Sequence, residues 1–292
     1  MQTIQYLLPK PFTLPRLCLP YFSGCSLGAF DIETTGLSPR KDTVSLIGVL
    51  SCEEEFCRIT QFFIDDPAEE PALLEAFFSF CRLRDVLFHY NGGAFDLPFL
   101  EKRAQAWGLS PLPRCKGFDL FRAARLSLLS HMLSDLKLTS LEAFAGFHRT
   151  DTLSGKDWAA LYRRYLQVPD PGVLERLLLH NREDLACFPA LSSLARKIDL
   201  HRVLFRLGFP VKAGRTVYYV QSIKRDKRGI QAEGAVLHGD GPQNHYLEDL
   251  TFLADEKGRF YLGLFEDREP LPQDWRQLNL LIIRHLKALS SP

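Results

Sequence analysis

The octapeptide Phe30-Asp31-Ile32-Glu33-Thr34-Thr35-Gly36-Leu37 constrains this chain more than any other stretch. It follows the apolar run Leu27-Gly28-Ala29-Phe30, which predicts a largely buried central strand. Side chains two apart on a strand share a face, so Asp31 and Glu33 point the same way. Two like charges held that close are costly unless a cation lies between them. Hard oxygen ligands favour magnesium or manganese over softer metals. Thr34, Thr35 and Gly36 then end the strand in a turn that leaves the carboxylates open. These residues predict a metal-binding strand end.

The rest of the chain must supply a fold around that strand. At 292 residues it has the length for one large domain and a small one. A hydrophobic content of 46% and a charged content of 24% are those of a soluble globular protein. A net charge of +1 makes no claim on nucleic acid, so any basic surface must be local. Prolines interrupt residues 1–21 too often for a signal peptide, and no apolar run reaches membrane-spanning length. The seven cysteines are scattered and odd in number, without a C-x-x-C pair, so neither a zinc site nor a disulfide framework is expected. Reduced thiols in a cytoplasmic protein are the expectation.

Periodicity divides the chain into three parts. Residues 1–26 are proline-rich and read as a strap over a sheet edge. Strands are predicted at 27–33, 43–51 and 56–64 as a meander, with short ones at 85–89 and 116–120. Helices are predicted at 67–84, 95–107, 121–147 with a break near Ser134-Asp135, 156–165 and 172–197. Pro189 lies inside the last of these, so a kink or break is expected there. Three strands followed by alternating helix and strand make a mixed α/β sheet the expected core, over residues 27–200. Residues 201–292 read as a small α+β appendage, with hairpins at 217–237 and 251–265 and an amphipathic closing helix at 275–289.

Two more polar sites follow in order. In Asn91-Gly92-Gly93-Ala94-Phe95-Asp96, the asparagine and glycines make a tight turn, and Asp96 enters the first turn of a helix. Its plainest role there is a charge favoured by the helix dipole. In His180-Asn181-Arg182-Glu183-Asp184, the first and last residues are four apart and share one helical face, the face that carries Leu177 and Cys187 to the core. A polar pair there is costly to bury unless it is ligating or hydrogen-bonded.

Together these stretches resemble the DEDD-type exonucleases of the ribonuclease H-like superfamily. Asp31 and Glu33 match the first motif, Asp96 the second and Asp184 the third. The string Arg149-Thr150-Asp151, Trp158, Tyr162–Leu166 and His180–Asp184 is similar to the YprB-type bacterial predicted exonucleases. The resemblance covers residues 27–197 and implies a ribonuclease H-like sheet and a 3′–5′ exonuclease. It implies two Mg²⁺ or Mn²⁺ ions, the first held by Asp31, Glu33 and Asp184, the second by Asp31 and Asp96, for in-line phosphodiester hydrolysis. The standard subclasses carry a tyrosine four residues before the last aspartate or a histidine five before it. Here His180 stands at the tyrosine spacing, and with an ordinary pKa of about 6.5 it suits a general base.

The substrate expected is DNA or RNA with a single-stranded 3′ end. Asn91 reads as a turn residue before a substrate contact, and Phe95 as core before a base-stacking ring. His89 reads as structural, Asp119 at a strand end as no more than a weak signal for a group supporting the site, and Ser154-Gly155-Lys156 as a turn. Lys224, Arg225, Lys227 and Arg228 at a hairpin tip would grip phosphates, or the appendage would hold a protein partner. A structure-selective endonuclease and a non-catalytic nucleic-acid-binding module are the alternatives.

Overall fold

The structure is a computed structural model that describes all residues except 9–13, 54–55, 112, 114–115, 226, 228, 240–243, 247–249, 266–271 and 290–292. In chain order, β1 (Gln2–Leu8) and a short helix α1 (Leu19–Phe22) precede β2 (Leu27–Thr34), β3 (Val44–Cys52) and β4 (Cys57–Phe63). Next come α2 (Glu70–Arg82), β5 (Val86–His89), α3 (Asp96–Ala106) and β6 (Lys116–Asp119). Helices α4 (Leu120–Arg125), α5 (Leu129–Met132), α6 (Leu138–Ala145), α7 (Gly155–Gln167), α8 (Pro171–Ala186) and α9 (Phe188–Leu191) follow. The remainder holds α10 (Leu200–Leu207), β7 (Phe209–Ala213), β8 (Thr216–Arg225), β9 (Gly229–His238), β10 (His245–Tyr246), β11 (Leu250–Ala254), β12 (Arg259–Phe265) and α11 (Trp275–Leu289).

The chain forms two compact units. The first comprises Met1–Thr13, Leu27–Ala124 and Ser130–Leu194. Its sheet runs β1-β4-β3-β2-β5-β6, with β2, β5 and β6 parallel and the other pairs antiparallel. This is the mixed α/β sheet expected. Strand alternation sends Ile32 to one face, where it joins a core with Leu73, Phe77 and Phe99 of α2 and α3. The other face is covered by α7 and α8. There Leu46 and Phe63 pack with Trp158, Tyr162, Leu177 and Leu178. Trp158 Nε1 donates to the Leu177 carbonyl at 3.0 Å, and Tyr162 Oη donates to the Ile64 carbonyl at 2.9 Å. Each buried aromatic thus has its polar atom satisfied, which fixes both helices on the sheet.

The second unit comprises Leu14–Ser26, Arg125–Leu129 and Ala195–Pro292. Its sheet runs β10-β11-β12-β9-β8-β7 and is antiparallel throughout. Its polar centre joins three distant segments. Asn279 of α11 donates to Tyr21 Oη at 3.1 Å and to the His201 carbonyl at 2.8 Å. Tyr21 Oη and His201 Nδ1 lie 2.5 Å apart.

Several expectations are corrected. Residues 1–26 are not a strap. Gln2–Leu8 form the edge strand itself, in register with β4, and Tyr21 and Phe22 are buried in the second unit. The two expected hairpins do form, as β8–β9 and β11–β12, but within one sheet that also recruits β7. The break expected at Pro189 is present: α8 stops at Ala186, and the proline takes the first turn of α9. Ser154 is not a turn residue but the N-cap of α7, in a reciprocal capping box with Asp157. Cys52 and Cys57 form a disulfide, against the expectation of reduced thiols. The β3–β4 register sets these two residues opposite each other across the hairpin, a pairing that linear spacing did not reveal. Among the described residues no helix is long and apolar enough to cross a membrane.

Candidate metal centre

The site forms where β2, α3 and α8 meet on the first unit's sheet. Asp31 and Glu33 lie on the α8 face of β2, Glu33 buried and Asp31 keeping some contact with solvent. Asp96 is the first residue of α3 and is buried. The turn before it depends on Asn91, which adopts the left-handed region at φ 59°, a conformation asparagine tolerates. The Asn91 N–H donates to Asp119 Oδ1 at 2.9 Å. Asp119 also accepts from the N–H groups of Phe121 and Arg122 and so caps α4. His89 Nδ1 accepts from the Gly92 N–H at 3.1 Å, and burial holds its imidazole below the usual histidine range. Both residues hold the turn.

The carboxylates act on one another electrostatically. Burial, then Asp184 and Asp96, pushes the Asp31 carboxyl well above its ordinary range. Burial, then Asp31, Asp184 and Asp96, does the same to Glu33. Asp96 is pushed up to about 7, by burial first and then by Asp119 and Asp184. Asp184 is raised by burial despite the pull of Arg149. The four carboxylates expected from separate stretches therefore feel one another's charge.

Asp31 is braced across the sheet. Asp31, Gly48 and Gln61 are opposite one another on β2, β3 and β4. Asn181 of α8 descends onto this row. Its Nδ2 donates to Asp31 Oδ2 at 2.9 Å, and its Oδ1 accepts from Gln61 Nε2 at 2.8 Å. Gly48 makes that approach possible, because a Cβ there would lie 2.0 Å from Asn181 Oδ1. The carboxylate is oriented by an amide whose other end is itself held.

Arg149, Thr150 and Asp151 read α8 residue by residue. Arg149 Nη2 donates to Asp184 Oδ1. Glu183 accepts from the Thr150 N–H and Oγ1 and from the Asp151 N–H, at 2.8–3.0 Å. Asp151 Oδ2 lies 2.7 Å from His180 Nδ1. His180 Nε2 then faces Glu33 Oε1 at 3.7 Å and Asp184 Oδ2 at 3.9 Å. One ligand atom each from Glu33, His180 and Asp184 lie within 4.8 Å of one another. Sequence reasoning assigned no role to Arg149, Asp151, Asn181, Glu183, Gly48 or Gln61. Polar Asn181, three before Asp184 on the helix, was the available signal.

The Asn91 side chain is exposed. Phe95 packs against the core with its ring 5.4 Å from Phe99. Lys224, Arg225 and Lys227 belong to the second unit and are exposed, and Arg225 Nη1 donates to the Pro272 carbonyl. Arg228 lies outside the described residues.

Comparison with known proteins places this arrangement. YprB of Bacillus subtilis (strain 168) is 31% identical over 259 residues, covering 86% of this chain. The chain spans only 59% of YprB's own length. A DNA polymerase of Archaeoglobus fulgidus is 24% identical over 200 residues, covering 61% of this chain and 23% of the polymerase. The family B DNA polymerase structure from Pyrobaculum calidifontis aligns with a TM-score of 0.47 at 19% identity, over 59% of this chain and 24% of that one. The RNase_H superfamily model matches residues 29–197, the span that carries all four carboxylates and His180, and the chain belongs to that superfamily.

Proposed function

We propose that this protein is a divalent-metal-dependent nuclease that hydrolyses phosphodiester bonds from the 3′ end of single-stranded DNA or RNA. The observation that carries the reading is the gathering of Asp31, Glu33, Asp96 and Asp184, four carboxylates raised by burial, the first three also by Asp184. Arg149 pairs with one of them, Asp184. A set of mutually repelling hard oxygens fits Mg²⁺ or Mn²⁺. Asp31, Glu33 and Asp184 would hold one ion, and Asp96 with Asp31 a second. Such ions activate a water and neutralise the charge that builds on the phosphate oxygens.

The chain's own residues supply orientation. Asn181 holds the Asp31 carboxylate at one angle, and Arg149 holds Asp184. His180 belongs to the same catalytic group. Likeness to a DNA polymerase supports a nucleic-acid substrate. The exposed Lys224, Arg225 and Lys227, together with Arg228, would add phosphate contacts, and a cytoplasmic location belongs to the same reading.

The test is a time course on 5′-labelled single-stranded DNA and RNA with Mn²⁺, beside Asp31→Asn and EDTA controls. The expected result is a ladder that shortens from the 3′ end and is absent in both controls. Internal cuts would overturn the exonuclease in favour of an endonuclease. Binding without cleavage would leave a nucleic-acid-binding module.

A further inference from the structure

We propose that His180 is a metal ligand rather than a free proton acceptor. With Glu33 and Asp184 it would make a mixed nitrogen–oxygen site that takes Mn²⁺ in preference to Mg²⁺, and Asp151 is its positioning residue. The assignment deepens the metal-dependent reading above.

Three observations converge on it. The first is the tautomer. An ionised carboxylate only accepts, so the 2.7 Å contact puts an N–H on His180 Nδ1 and leaves Nε2 as the ring nitrogen turned to the carboxylates. A histidine that donates one ring N–H to a carboxylate while presenting the other nitrogen is the usual arrangement of a metal-bound imidazole. The second is where Nε2 points. It faces carboxylate oxygens of Glu33 at 3.7 Å and Asp184 at 3.9 Å, both on its open side. A ring nitrogen and two carboxylate oxygens gathered within 4.8 Å of one another suit a cation that joins all three. The third is spacing. His180 and Asp184 are one helical turn apart, so both project from one face of α8 toward one point. Paired ligands at this separation chelate a single ion in helical metal motifs.

The ring has little freedom to swing away. His180 and Asp151 are both buried, Asp151 Oδ1 accepts from the Leu153 N–H at 3.1 Å, and Glu183 pins the backbone of Thr150 and Asp151 to the same helix. Replacing one oxygen by an imidazole nitrogen shifts preference from Mg²⁺ toward first-row transition ions, of which Mn²⁺ best tolerates the carboxylates.

The experiment uses the full chain, stripped of metal and titrated calorimetrically with Mn²⁺ and with Mg²⁺. Pulsed electron paramagnetic resonance of bound Mn²⁺ then reads coupling to imidazole ¹⁴N. The wild type is expected to bind Mn²⁺ at least about tenfold more tightly than Mg²⁺ and to show nitrogen coupling. His180→Gln should abolish the coupling and weaken Mn²⁺ binding. Asp151→Asn should keep the coupling while weakening Mn²⁺ binding about 10–100-fold, as loss of a supporting carboxylate does. Bound Mn²⁺ without nitrogen coupling in the wild type would overturn the inference and leave the nuclease reading intact. Failure of the wild type to bind either ion would overturn both. The wild-type spectrum decides the matter even if a variant does not fold.

Discussion

Asp31 illustrates how much of the site depends on single atoms elsewhere. Its orientation comes from Asn181, and Asn181 fits only because residue 48 has no side chain. Gly48→Ala should therefore displace the amide, cost about 1–3 kcal/mol through overpacking, and lower cleavage more than it lowers substrate binding. Thermal melting beside initial rates checks this, and unchanged rates would argue against the brace. Asp31→Asn should reduce cleavage by at least about 10³-fold, because several kcal/mol of charge stabilisation are lost. The same change removes a repelling charge, so the metal-free variant should melt above the wild type. Asp96 adds a pH dependence. Its folded pKa, about 7, lies above its ordinary value of 3.8, so its contribution to stability is full below about pH 4 and is lost as pH rises through about 7. Metal-free protein should melt lower at pH 8 than at pH 5. Saturating Mn²⁺ should restore more stability at pH 8, since protons compete with the metal at pH 5. Melting curves at both pH values, with and without Mn²⁺, read the difference directly.

At the scale of elements, α8 is the centre. It packs Leu177 and Leu178 into the sheet, sends Asn181 and Asp184 toward the carboxylates, and uses Glu183 to hold the segment that bears Arg149 and Asp151. Glu183→Ala leaves the N–H groups of Thr150 and Asp151 without their acceptor, a loss of about 1–3 kcal/mol if water does not replace it. It should also loosen both Arg149 and Asp151, so cleavage should fall by more than the stability change explains. A variant with normal rates and lowered stability would make Glu183 a packing residue alone. Helix and strand positions here were largely legible from periodicity, since β2, β3 and β4 carry apolar runs and α11 a clean amphipathic stripe. The break at Pro189 was legible too, because proline acts locally. What local pattern missed were β1, whose alternating half-exposed residues look like loop, and β7, which is short and follows directly on a helix.

For the whole molecule, the chain passes between the two compact units more than once. Leu14–Ser26 and Arg125–Leu129 belong with the C-terminal unit, although their neighbours in sequence belong to the first. A fragment ending at Leu194 would therefore strand Cys18, Tyr21, Phe22 and Leu129, all buried in the full chain. It should bind a hydrophobic dye more strongly and melt less cooperatively than the intact protein. A fragment with a sharp transition and no added dye binding would show that these segments are dispensable.

The sequence by itself determined the strand bearing Asp31 and Glu33, the mixed α/β character and the shared face of His180 and Asp184. These follow from periods of 2 and 3.6 residues, which any local stretch displays. Only the tertiary structure decided that Gly48 and Gln61 lie beside Asp31, that Asp151 holds His180 and that Cys52 meets Cys57. Those pairings are set by strand register and by how α8 packs on the sheet, contacts across long stretches of chain that no local pattern encodes.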